Sequence, residues 1–325
     1  MISNSEFNQK LIDMISTCIP AKSDQLEMLM TIIPLGREAA YRRLRGDVPF
    51  SFSEACIISR KLGKSLDCIA DVTKCGGSIF HLKAAEAEFP DDYSFYYTRL
   101  FEEHDGFFDM CTKNPTMKGT SAWNMVPHTK LLPFDYLAKF RAFQWKYQRK
   151  QGTKIGSLSD IELSSDLKKK IAKMLNKSQM VASTAFIFGH NTFGTLIRQV
   201  EYCRNLNLIT NNEITILKEE LIQLVNDMEN LTMQGKDGNG NKIWVYLSNV
   251  DFESNYVYVS GENFECAYLD VYQINSLAST DPVACKMHRE WIDSLRKYST
   301  LISASGEKER VAYFNRQRKY IADLK

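Results

Sequence analysis

Leu35-Gly36-Arg37-Glu38-Ala39-Ala40-Tyr41-Arg42-Arg43-Leu44-Arg45-Gly46 is the stretch on which the reading of this chain turns. Gly36 opens a short helix over 37–45 and Gly46 stops it. Ala40 and Leu44, four residues apart, share one face of that helix, and Leu44 is expected to anchor the local core. Glu38, Arg42 and Arg45 point the other way, flanked by Arg37, Tyr41 and Arg43.

The flanks read as further short helices. Ser3-x-x-Glu6 is a capping box that opens a helix through Thr17, closed off by Pro20. Ser23 caps a second helix with Leu26, Leu29, Met30 and Ile33 on one face, ended by Pro34. After the turn Gly46-Asp47-Val48-Pro49, Ser51-x-x-Glu54 opens a fourth helix to Leu62, which Gly63 ends. Leu66 to Ala70 supplies a last helical turn. The expectation is an all-α domain of five short helices over residues 1–72.

Charge is concentrated within it. Residues 1–72 hold nine Lys/Arg and nine Asp/Glu, yet 35–64 hold seven bases against three acids, a local net of +4. The excess lies on the third helix and the end of the fourth. A guanidinium can bond guanine O6 and N7 in bidentate fashion and also neutralise phosphate. A glutamate can accept from cytosine N4, and a tyrosine hydroxyl can bond phosphate. Arg37, Glu38, Tyr41, Arg42, Arg43 and Arg45 are therefore the candidate DNA-binding residues.

The segment L-G-R-E-A-A-Y-R-R-L-R-G, the turn after it, and F-S-E-A-C-I-I-S-R-K-L-G-K-S-L-D resemble the Cro/phage-repressor type of helix-turn-helix domain. They are especially similar to repressor-like regulators of Bacteroides-type bacteria that carry a long C-terminal part. The resemblance covers residues 5–72, about a fifth of the chain, and implies that the third helix reads the major groove of double-stranded DNA. Where such domains usually have an alanine within the second helix and a glycine at its end, this chain has Met30 and Pro34.

Residues 73–78 read as a linker, and 79–325 as an α+β region for ligand sensing, oligomerisation or both. Residues 79–112 are acidic and aromatic and read as one or two helices. Further helices are expected at 133–150, 160–178, 191–206, 211–232, 284–300 and 306–323, with a buried strand at 184–188. The β-branched and aromatic runs 243–247, 256–260 and 267–272 read as a three-strand antiparallel meander, so the sheet is expected to be small and antiparallel. The fold class is thus multi-domain, a helical domain followed by α+β.

The remaining features exclude more than they assign. The whole chain nets +2, so nothing follows from its overall charge. Eight cysteines form no CxxC pair and no zinc spacing, which fits a reducing cytoplasm, and no signal peptide or membrane-spanning run is present. The five histidines stand singly, and no nucleophile elbow, phosphate loop or paired carboxylate is found, so no catalytic residue, metal or cofactor is expected. Lys139–Lys154 mixes six basic residues with aromatics and reads as an amphipathic helix with a solvated basic face. The basic stretch 286–325 likewise reads as a solvated face. The expected partners are double-stranded DNA, a second copy in a homodimer, and an unidentified small-molecule effector, with no membrane. The alternative is an interaction scaffold, or an enzyme without a recognisable catalytic set, that docks through the N-terminal helices.

Overall fold

Pro34 sets the corner on which the N-terminal unit is built. Its ring forces Ile33 into extended backbone, φ −126° and ψ 139°, and so ends α2 (Lys22–Ile32). Three residues later Gly36 opens α3 (Arg37–Leu44). The computed structural model describes residues 4–62, 64–70, 78–83, 98, 101, 116–149, 156–178, 181, 183–262, 264–271 and 275–324. The chain divides into two compact units, Met1–Ile79 and Phe80–Lys325.

The first unit holds α1 (Asn4–Cys18), α2, α3 and α4 (Phe52–Leu62). Leu11, Ile15, Met28, Leu29, Ile33, Ala40, Ile58 and Ile69 form its core. A five-helix domain is not what forms. Leu66–Cys68 is one 3-10 turn held by Ser65, whose hydroxyl accepts from the Asp67 amide, which leaves four α-helices among the described residues. Three residues are too few to repay α-helix nucleation. The buried face of α2 also differs from the expected one. Gln25, Met28 and Leu29 are inside while Met30 is exposed, and Ala21, not Ser23, stands at the N-cap. Ser3 lies outside the described residues. Leu44 is only half-buried against the core, whose anchors are Ile15, Leu29 and Ile58.

The second unit overturns the small antiparallel sheet. It contains one eight-stranded mixed sheet in the order β1-β7-β6-β5-β2-β3-β4-β8. The strands are β1 (His81–Lys83), β2 (Lys118–Trp123), β3 (Ser183–Phe188), β4 (Lys242–Ser248), β5 (Tyr256–Gly261), β6 (Phe264–Val271), β7 (Asn275–Ser279) and β8 (Ser299–Leu301). β2, β3 and β4 run parallel, and every other pairing is antiparallel. Residues 242–248 therefore do not open a meander. Ile243, Val245 and Leu247 alternate as a half-buried strand should, but alternation says nothing of which strands lie alongside. β5 pairs instead with β2, which interposes two strands between β5 and β4.

The parallel centre explains the helices. β2 reaches β3 through α5 (His128–Leu131), α6 (Asp135–Arg149) and α7 (Ser165–Ser178), and β3 reaches β4 through α8 (Gly194–Asn205) and α9 (Asn211–Gln234). These, with α11 (Glu307–Asp323), bury Trp123, Phe186 and Phe188 on one face of the sheet. Phe188 stacks between Trp123 and Tyr313, at centroid distances of 5.3 and 5.9 Å. The opposite face, with Ala122, Ile187 and Ala267, is covered by α10 (Pro282–Lys297) through Cys285, Ile292 and Leu295. Of the acidic aromatic stretch, 81–83 is a strand where a helix was expected, and nearly all the rest lies outside the described residues, as does most of the expected linker. No described helix is long and apolar enough to cross a membrane.

Candidate nucleic-acid interface

α3 presents its charge because of how it is fastened. Ala40 is fully buried against the core of the first unit and fixes the rotation of the helix. Gly46, at φ +80°, then reverses the chain. Its amide donates to the Arg43 carbonyl and the Asp47 amide to the Arg42 carbonyl, the paired bonds of a Schellman stop. A left-handed residue is required there, which glycine supplies without strain.

With that rotation fixed, Arg37, Glu38, Tyr41, Arg42 and Arg45 are all exposed. Arg45 bends back over the Tyr41 ring, its guanidinium carbon 5.7 Å from the centroid, and approaches Asp47 at 3.5 Å. Arg43 is different. Its fork grips Glu54 through two bonds, Nε to Oε2 at 3.1 Å and Nη2 to Oε1 at 2.8 Å, and both side chains are largely covered. Glu54 also accepts from the Ser51 amide at 2.7 Å while its own amide donates to the Ser51 hydroxyl, so the expected capping box of α4 forms. Arg43 thereby clasps α3 to α4, and the side chains left facing outward are the other five candidates.

Partial burial alone would raise the Glu54 carboxyl, but bonds from Arg43 and Ser51 and the Arg43 charge outweigh it and hold the group below its ordinary 4.5. A depressed carboxyl contributes stability that is present above pH 4.5 and is lost as pH falls through its folded value. The expected result is that amide exchange at the α3–α4 corner speeds up as pH drops from about 6 to about 3, after correction for intrinsic exchange. Glu54→Gln should flatten that profile, and an unchanged profile would show that the clasp carries no pH-dependent stability.

One exposed residue had no sequence signal. Phe52, in the first turn of α4, is 80% exposed. Sequence pattern marks it only as the second position of a capping box, which has no assigned face.

The second unit holds buried polarity that the sequence reading assigned to solvent. Arg141 lies in the stretch 139–154, which reads as a basic solvated face, yet it is buried, because α6 is covered almost all round between Leu137 and Trp145. Its Nη1 donates to Gln144 at 3.1 Å, and Gln144 donates to Gln199 on α8 at 2.8 Å. Across from α6, Asn255 accepts from the Met125 amide and donates to Asp270 at 3.0 Å. Desolvation raises the Asp270 carboxyl to about 6, against the bond from Asn255 and the charge of Arg141, which both lower it. The Lys130 amine lies 5.8 and 5.6 Å from the Trp123 and Phe186 ring centroids, and burial depresses it from its ordinary value.

The weaker sequence features have structural explanations. Phe140, Phe143 and Trp145 are core residues of α6. Arg310, in the basic C-terminal stretch, is buried and donates to the Ile302 and Ser305 carbonyls, and Arg318 pairs with Glu229. Asp237 accepts from the Asn239 and Asn241 amides, closing the turn between α9 and β4. No group of three or more His, Cys, Asp or Glu side chains suited to a metal is found among the described residues. No protein-family model, no curated protein and no solved structure matches this chain.

Proposed function

We propose that this protein is a DNA-binding transcriptional regulator of the cytoplasm, that α3 enters the major groove, and that the second unit senses a small molecule, pairs two copies, or both. The observation that carries the reading is the outward row Arg37, Glu38, Tyr41, Arg42 and Arg45 on a short helix whose opposite side is locked by the buried Ala40. A short helix that follows a tight corner and offers exposed arginines is what groove reading requires. Selection from fragmented genomic DNA followed by mobility shifts over a salt series tests the reading. A preferred site and a steep fall of affinity with salt are expected. No retention at low salt would leave the docking-scaffold alternative.

Gly36 supplies a test in which stability and binding move in opposite directions. Its backbone, φ −73° and ψ 159°, suits any residue, no atom lies within 4 Å of an added Cβ, and α3 has no side-chain cap there. Gly36→Asp should therefore stabilise the first unit by about 0.5–1 kcal/mol, through a new cap and a stiffer unfolded chain. The same carboxylate at the start of a groove-reading helix should repel phosphate and weaken binding. Amide exchange and mobility shifts on one preparation check both signs. Slower exchange with unchanged affinity would place DNA elsewhere.

A further inference from the structure

α10 has two apolar faces where one suffices. Ala284, Cys285, His288, Ile292 and Leu295 face the sheet. Val283, Met287 and Trp291 repeat every fourth residue along a second stripe, and they are 50%, 64% and 40% exposed. Trp244 of β4, on the face of the sheet that α10 occupies, is also 38% exposed. A continuous apolar stripe on a charged helix marks an interaction surface.

The charges beside the stripe indicate what it meets. Lys286 and Glu290 flank it on one side, and within the chain they reach each other only at 4.0 Å with both side chains mostly exposed. Suppose that two copies of α10 cross antiparallel about a two-fold axis at Met287. Each residue lies about 1.5 Å further along the axis than the last. Val283 then faces Trp291 of the second copy about 6 Å to either side of the axis, small against large. Lys286 falls within about 3 Å, along the axis, of the second copy's Glu290 on the same flank, and the pairing recurs by symmetry. The patch is self-complementary in shape and in charge.

We infer that the outer stripe of α10 is the surface on which two copies of this chain pair, with Met287 on the two-fold axis and reciprocal Lys286–Glu290 ion pairs beside it. The inference deepens the pairing role in the proposed function and rests on that reading only for why a pair is useful: one short reading helix spans few base pairs, and two on adjacent half-sites span an operator.

Sedimentation of the full chain at about 50 µM without DNA tests it, a concentration at which a micromolar dimer is populated. The wild type should be dimeric and Met287→Glu monomeric, with circular dichroism unchanged because Met287 is exposed. Lys286→Glu and Glu290→Lys alone should each weaken pairing by about tenfold or more, and the double reversal should restore it. Met287→Cys, mildly oxidised, should give a dimer whose cross-link maps to 287 in both chains, with the wild type and its native thiols as control. A monomeric wild type, a dimer indifferent to Met287→Glu, or a double reversal without rescue would overturn the inference. Because no DNA is present, a monomer that still shifts DNA would refute the surface and leave the DNA reading standing, and a dimer that shifts none would do the reverse.

Discussion

Ile58→Ala should unfold the first unit, or bring it to the edge of unfolding, while leaving the second intact. Ile58 is fully buried and belongs to the cluster that joins α1, α2 and α3 to α4. Truncating a buried isoleucine costs about 2–5 kcal/mol in lost transfer energy and residual cavity. A unit of this size holds roughly 4–10 kcal/mol in all. Amide exchange over residues 4–62 should therefore accelerate by orders of magnitude. All four tryptophans, at 123, 145, 244 and 291, lie in the second unit, so their fluorescence transition should stay where it was. Leu44→Ala should do less, since Leu44 is half-buried and the site can partly relax. Protection of α1–α4 equal to wild type in Ile58→Ala would mean that these helices do not share one core.

Arg42→Ala should weaken specific DNA binding by about 1–3 kcal/mol, roughly 5- to 150-fold, without altering the fold. Arg42 is exposed in the middle of the outward row. Arg37→Ala should behave alike. Arg43→Ala should differ in kind, because it strands Glu54 partly covered and without its fork. Its loss of binding should come with faster exchange at the α3–α4 corner, which the other two variants should not show. Titration against the selected site and a scrambled one separates base reading from phosphate contact. A loss confined to the selected site identifies a base-reading arginine, and an equal loss on both a phosphate-binding one. Unchanged affinity in both Arg42→Ala and Arg37→Ala would remove α3 from the groove.

How much of this was legible varies with the kind of signal. The α2–turn–α3 corner and the α4 cap could be read because their determinants are local: Pro34, Gly46 and the Ser51–Glu54 pair act within a few residues of themselves. Most helices of the second unit were likewise found from periodicity. The sheet was not, because its order depends on pairings between remote segments. β2 reads Lys-Gly-Thr-Ser-Ala-Trp, with no β-branched run to mark it, and becomes a central strand only because β3 and β5 flank it. β1 and β8 are three residues long, too short for any periodicity. The same limit applied to side chains. Arg43 and Arg42 are neighbours of one type, and only the position of Glu54, eleven residues beyond Arg43, separates a clasped side chain from an exposed one. Arg141 was assigned to solvent because its sequence neighbours are basic, whereas the crowding of α6 on all sides puts it inside.

The order of the strands also governs when the chain can finish folding as it is made. Everything the first unit needs lies within residues 1–79, so it can fold before the second unit has been synthesised. The sheet cannot. β2 gains its β5 neighbour only after Tyr256 is synthesised, β1 must wait for Ala278 opposite His81, and β4 has no partner on its far side until residues 299–301 emerge. A nascent chain would thus carry a finished first unit ahead of an unfinished sheet until residues 299–301 emerge. On the proposed reading, pairing through α10 would be deferred until residues 282–297 are made, so shorter chains could occupy single half-sites but could not bridge two.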